Sequence, residues 1–203
     1  MKHKFIVTCL AVSLMIFAIS MMTGGMRLVA AADEGEKNSN RNRLVVIIDD
    51  FGNGQKGTDE MLNLPVKLTV AVMPFLSTSR TDAERAYRMG HDVIIHMPME
   101  PKQGKKKWLG PGAITSNLTD EEIRKRMEEA IDQIPHAIGV NNHMGSKITS
   151  DERIMSIVLD VCKERGLFFI DSRTNYNSVA KKLAELKGMP ILETIFFWMT
   201  SKR

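Results

Sequence analysis

Acids and imidazoles recur in this chain at the ends of apolar runs. Asp49-Asp50 follows Leu44-Val45-Val46-Ile47-Ile48, and His96 follows Val93-Ile94-Ile95. Asn141-Asn142-His143 follows Ala137-Ile138-Gly139-Val140, and Asp171 follows Leu167-Phe168-Phe169-Ile170. Two adjacent carboxylates repel and resist joint burial unless a cation sits beside them. A divalent metal meets that need. One carboxylate and two imidazoles around an open water position are a common catalytic zinc arrangement. Such an ion polarises a carbonyl and acidifies water, and a second carboxylate nearby can take the proton. Each residue also has a structural reading. Asp-Asp-Phe-Gly suits a turn, His96 suits a satisfied core histidine, and Asp171 suits a loop cap. His96 leads into Met97-Pro98-Met99-Glu100-Pro101, which reads as a stiff, irregular loop of the kind where functional residues concentrate. His91, after Gly90, reads as structural, and His136, beside Pro135, as a surface residue.

The elements that must position these groups alternate along the chain. Leu44–Ile48 reads as a parallel strand buried on both faces, and Leu68–Met73 as a second, stopped by Pro74. Asp82–Met89 reads as a helix closed by Gly90, and Val93–Ile95 as a strand ending at His96. Thr119 with Glu122 forms a capping-box pattern for a helix to about Ile134. A short strand follows at Ala137–Val140. Ser150 then caps a helix to about Arg165, closed by Gly166. Leu167–Ile170 is a strand, 178–187 a helix closed by Gly188, and Pro190-Ile191-Leu192 begins another strand. Strand–helix alternation of this kind predicts an α/β fold with parallel strands. Such folds gather the carboxyl ends of their strands at one face, so four strands deliver acids and histidines to one place.

With 203 residues, the chain suits one domain with a real core. Lys2 and Lys4, the apolar run from Phe5 to about Met22 and the small residues Val29 to Ala32 have the layout of a secretory signal, expected over residues 1–32. An uncleaved membrane anchor is the alternative, and the only membrane contact expected. Residues 33–43 are polar and read as a flexible linker. The formal charge of +4 overstates the basicity of the domain. Without residues 1–32 the chain loses Lys2, Lys4 and Arg27 and no acid, which leaves 25 basic against 24 acidic side chains. That balance offers no electrostatic case for nucleic acid. Of the two cysteines, Cys9 lies in the leader, and Cys162 reads as a buried helical thiol.

Four segments resemble the divergent polysaccharide deacetylase family: Ile47–Gly52, Gly90–Pro101, Gly139–Ser146 and Phe169–Thr174. They occur in order across Arg43 to Glu193. The resemblance implies a distorted parallel (β/α) barrel of the glycoside hydrolase/deacetylase type, related to the NodB-type carbohydrate esterases. It implies zinc-dependent removal of N-acetyl groups from a cell-wall or extracellular glycan, peptidoglycan or exopolysaccharide, outside the cytoplasm. By the same resemblance Asp50 is the metal-binding member of the acidic pair, Asp49 the general base and His96 the first metal histidine. Better-known deacetylases place a second histidine four residues later. Glu100 stands there here, with Pro98 between, so His143 is the expected third ligand and Glu100 the reserve. Asn142, Asp171 and Arg173 are expected in support. A non-catalytic glycan-binding or envelope-assembly protein, or another metallo-esterase, would use the same scaffold. The family continues with acidic, polar sequence after Leu192-Glu193, whereas Thr194–Arg203 is apolar and then basic. Under one choice of codons for the tail, one added A gives a family-like reading, so a frameshifted tail at 194–203 and an incomplete barrel are expected.

Overall fold

A computed structural model of the chain describes residues 44–194. The expected signal segment, the linker and all but the first residue of the expected frameshifted tail lie outside these residues. Six strands form one all-parallel sheet in sequence order. They are β1 (Ile47–Phe51), β2 (Thr69–Val72), β3 (Asp92–Met99), β4 (Ala137–Met144), β5 (Phe168–Asp171) and β6 (Ile191–Glu193). Helices alternate with them: α1 (Thr58–Leu62), α2 (Ser79–Arg88), α3 (Asp120–Gln133), α4 (Glu152–Glu164) and α5 (Ala180–Leu186). Among the described residues β1 and β6 do not pair, so the sheet is the expected distorted α/β barrel left open between them.

The two faces of the sheet follow the two-residue period of a strand. Val70, Val72, Val93, Ile95, Met97, Val140 and Phe169 point outward and join the main core under the helices. Ala71, Ile94 and Ile170, with Ile47 and Phe168 beside them, form a small apolar layer on the inner face. In step with that layer, the next inner positions toward the carboxyl ends are Asp49, His96, Asn141 and His143. The inner face is therefore apolar at one end and polar at the other.

Several boundaries differ from expectation. β3 runs on through His96 to Met99, so His96 is a strand residue and not part of a loop. Pro98 lies within this strand: its carbonyl accepts the Ile114 N–H at 2.8 Å, and an isolated bridge joins Met99 to Ile114. β4 likewise extends to Met144, carrying Asn141, Asn142 and His143 inside the sheet. The first strand starts at Ile47 and is not buried on both faces, because it is a sheet edge: Val45 and Val46 are exposed. The α4 cap is Asp151, which accepts the Ile154 N–H at 3.0 Å, and not Ser150, which closes a preceding 3-10 turn. α2 begins at Ser79, earlier than its apolar pattern suggests. The α3 capping box is present as read, with Thr119 and Glu122 bonded reciprocally.

His91 is structural, as expected. Its buried ring joins the Leu68 N–H to Nδ1 at 3.2 Å and faces the Leu62 carbonyl with Nε2 at 2.8 Å, tying the end of α1 to the start of β2. Cys162 is buried in α4, where burial pushes its thiol up to about 12. His136 stacks on Tyr87 at the surface.

The turn after β1 is the most constrained point of the backbone. Gly52 has φ 110°, and a Cβ there would lie 2.8 Å from the Met73 carbonyl oxygen. Its N–H donates to buried Asp82 Oδ2 at 3.0 Å, and the same oxygen accepts the Thr78 hydroxyl at 2.8 Å. Gly52→Ala combines a disfavoured φ with a clash against backbone. It is expected to destabilise the domain by about 1–3 kcal/mol. Thermal melts check this, and an unchanged midpoint would contradict the assignment of this turn as a strained clamp.

Candidate metal centre

Three strands supply the centre. Asp50 comes from β1, His96 from β3 and His143 from β4. Asp50 Oδ1 lies 3.0 Å from His143 Nδ1 and 3.3 Å from His96 Nε2, and the two nitrogens are 3.1 Å apart. Among the described residues this is the group of acids and imidazoles whose atoms converge closely enough to hold one ion.

A β-bulge makes the convergence possible. Neighbouring strand residues normally face opposite sides of a sheet, which would send Asp49 and Asp50 apart. Ile48 pairs with Val70 and Phe51 with Val72, so β1 carries one extra residue between these points. Asp50 takes up the slack at φ 68°, a left-handed conformation that aspartate tolerates better than most residues. Both carboxylates then reach the same imidazole. Asp50 Oδ1 meets His96 Nε2, while Asp49 Oδ1 lies 3.6 Å from His96 Nδ1.

Neighbouring groups determine which nitrogen of each ring is available. The Trp108 carbonyl can only accept, so His143 Nε2, 2.9 Å away, carries the proton and leaves Nδ1 as a lone pair. Asn141 Nδ2 donates to Asp49 Oδ1 at 3.0 Å, so its Oδ1 faces His96 and accepts the Nδ1–H at 2.8 Å. His96 Nε2 is therefore a lone pair too. Two imidazole lone pairs and a carboxylate oxygen point at one another with no donor among them. This donor set calls for a cation. Atoms bound about 2.0–2.1 Å from one tetrahedral ion stand about 3.3 Å apart, close to the spacings here. Outer partners that fix the ligand tautomers are the usual accompaniment of a metal site.

Protons compete for the same atoms. Where a proton takes the cation's place, hydrogen bonds to His143 and then His96 hold the Asp50 carboxyl well below the usual carboxylate range, against the effect of its burial. Burial alone would favour neutral His96. The bond to Asp50, the charges of Asp49 and Asp50 and the bond to Asn141 outweigh it and raise its pKa above the ordinary histidine value. His96 is buried, whereas the Asp50 side chain is 49% exposed, so the centre opens to solvent on the Asp50 side.

The other expected residues sit around the trio. Glu100 binds Lys147 Nζ at 2.7 Å and accepts the Ser116 N–H at 2.7 Å. These contacts lower it to about 2 and keep it out of the cluster. Asn142 faces away from His143, donating to the Met144 carbonyl and accepting the Ser172 N–H. Asp171 is buried and caps its own turn by accepting the Arg173 N–H at 2.8 Å. Arg173 pairs with Glu193 at 2.7 Å. Two contributors escaped the sequence reading. Asn141 had a usable signal, since strand alternation puts it on the face of His143 while Asn142 faces the other way. The Trp108 carbonyl had none, because backbone groups carry no residue signature.

Comparison with known proteins agrees with this architecture. Residues 46–197 match the family model described as divergent polysaccharide deacetylase. The chain is 34% identical over 155 residues to the uncharacterized protein YibQ of Escherichia coli (strain K12), covering 76% of this chain and 48% of that protein. It is 33% identical over 157 residues to an uncharacterized protein of Haemophilus influenzae, covering 77% and 55%. The chain thus spans about half the length of these relatives. The crystal structure of the uncharacterized protein ATU2773 from Agrobacterium tumefaciens C58 superposes with a TM-score of 0.70 at 21% identity, over 77% of this chain and 65% of that one, a likeness of fold. With the family model covering the sheet from β1 through β6 and all three residues of the centre, the chain belongs to the divergent polysaccharide deacetylase family.

Proposed function

We propose that this chain is a metal-dependent deacetylase that removes N-acetyl groups from a cell-wall or extracellular glycan outside the cytoplasm. One observation carries the reading: Asp50 Oδ1, His96 Nε2 and His143 Nδ1 converge within hydrogen-bond distance as three electron-pair donors, with the outer nitrogen of each ring already committed. A divalent ion bound there, zinc by the nature of the ligands, supplies Lewis-acid polarisation of the amide carbonyl and lowers the pKa of water.

The protein's own groups provide the remaining chemistry. Asp49 is partly exposed at the edge of the centre, held through one oxygen by Asn141. Its place is that of a general base, taking a proton as water oxygen attacks the acyl carbon. Collapse then breaks the C–N bond, and the departing nitrogen takes the proton held by Asp49, releasing acetate and the free amine and restoring the Asp49 carboxylate. Asn141 is a positioning residue. Its amide group orients Asp49 at one end and holds the His96 tautomer at the other, so proton acceptor and ligand are registered to each other.

Purified full-length chain loaded with zinc is expected to bind about one equivalent and to release acetate from N-acetylchitooligosaccharide or peptidoglycan. His96→Ala or Asp50→Asn is expected to lose the metal. Asp49→Asn is expected to retain it while the rate falls by about 10²–10⁴-fold. Zinc bound without acetate release from either glycan overturns the deacetylase reading and favours a binding module.

Asn141→Ala removes both second contacts, so zinc affinity is expected to drop about 10–100-fold with the circular dichroism spectrum unchanged. Chelator competition measures this, and an unaltered affinity would remove Asn141 from the account.

Only neutral His96 can act as a ligand, and its metal-free pKa is raised. Protonation thus competes with metal above the ordinary histidine range. In the metal-free protein the His96 contribution to stability is present below the unfolded pKa and is lost as pH rises through the raised folded value. The stabilisation by zinc is therefore expected to grow from about pH 6 to about pH 8. Thermal shifts with and without zinc across that range test the sign, and a shift that shrinks with rising pH is the contrary result.

A further inference from the structure

The segment between β3 and α3 lies at the rim of the centre and is not accounted for by metal binding alone. Its ends are pinned by the Met99–Ile114 bridge and by Lys102 N–H donating to Ser146 Oγ at 2.9 Å. Further along, Gly112 packs so closely on Phe75 that a Cβ would fall 2.2 Å from the ring. The segment thus spans the carboxyl ends of β2, β3 and β4. Its middle is a 3-10 turn, Lys106–Trp108. The Trp108 carbonyl accepts from His143, so this residue's backbone adjoins the centre, yet the residue is 56% exposed. Lys105 Nζ lies 5.4 Å from the centroid of its ring. Lys102, Lys105 and Lys107 are exposed and have no carboxylate partner among the described residues. The neighbouring cations Lys147 and Arg173 are, by contrast, neutralised by Glu100 and Glu193.

An exposed indole beside a reaction centre offers a flat apolar face suited to the C–H face of a sugar ring. Lysines on the same segment, Lys105 beside the ring and Lys102 and Lys107 exposed without a carboxylate partner among the described residues, add attraction for negative charge. We infer that this rim is a specificity subsite for acidic glycans: Trp108 stacks on a sugar while Lys102, Lys105 and Lys107 receive a carboxylate carried by the same or an adjacent sugar. The inference rests on the deacetylase reading for its substrate class and narrows it from N-acetylated glycans in general to carboxylate-bearing ones.

The test measures binding, so it does not depend on turnover. Full-length chain carrying Asp49→Asn is titrated with a hyaluronan hexasaccharide, which alternates N-acetylglucosamine with glucuronate, and with neutral N-acetylchitohexaose. The acidic ligand is expected to bind about tenfold more tightly at low salt. The preference is expected to fade as salt screens exposed charges. Replacing Lys102, Lys105 and Lys107 together by Gln is expected to bring the two affinities together. Trp108→Ala, compared at equal zinc occupancy, is expected to weaken both ligands about tenfold. Equal affinity for the two ligands, or a preference that survives the triple substitution, overturns the inference. Unchanged affinity in Trp108→Ala overturns the stacking. Failure of the underlying reading shows separately, as absent zinc or absent acetate release from neutral glycan in the unsubstituted chain.

Discussion

Three electron-pair donors face one another at the carboxyl ends of β1, β3 and β4, and much of the surrounding structure serves to keep them there. Two imidazole lone pairs and a carboxylate repel at distances near 3 Å. The arrangement persists because each group is restrained from behind. Asn141 takes the outer proton of His96, the Trp108 carbonyl takes that of His143, and the bulge in β1 leaves Asp50 little freedom. Preorganisation of this kind would let a cation bind without reorganising the three side chains.

These restraints draw on different parts of the fold. Asn141 lies beside His96 because β3 and β4 pair in register, His96 with Asn141 and Pro98 with His143. The Trp108 carbonyl arrives from a long connection pinned across three strand ends. The bulge depends on the Gly52 turn, which Asp82 at the start of α2 holds from beneath. Glu100 contributes at a distance. Bound to Lys147 and the Ser116 backbone, it fastens the two ends of the β3–α3 connection near the β4 turn. Its position after Pro98 therefore has a structural use in place of a ligand's.

Much of this was legible in the residue order. Apolar runs punctuated by glycines marked the alternating strands and helices, and the capping box of α3 and the buried thiol of Cys162 followed from local chemistry. The convergence of Asp50, His96 and His143 could be anticipated because parallel strands deliver their carboxyl ends to one face. Strand ends were read less well. β3 and β4 continue through polar residues and a proline because neighbouring strands still supply hydrogen-bond partners there, and hydrophobic runs do not report that pairing.

The sequence by itself determined the α/β alternation, the acids and imidazoles of the centre and the family, because these depend on residue type and on short-range periodicity. Tertiary structure decided how those groups are used. Two adjacent aspartates share one face only because β1 gains a residue relative to β2, and that mismatch exists only once the strands pair. Asn141, rather than Asn142, supports the centre because the direction of the β4 pleat is set by which face packs on the helices. The tautomer of His143 depends on a carbonyl 35 residues away in sequence, a partner that chain folding brings close and that side-chain identity cannot announce.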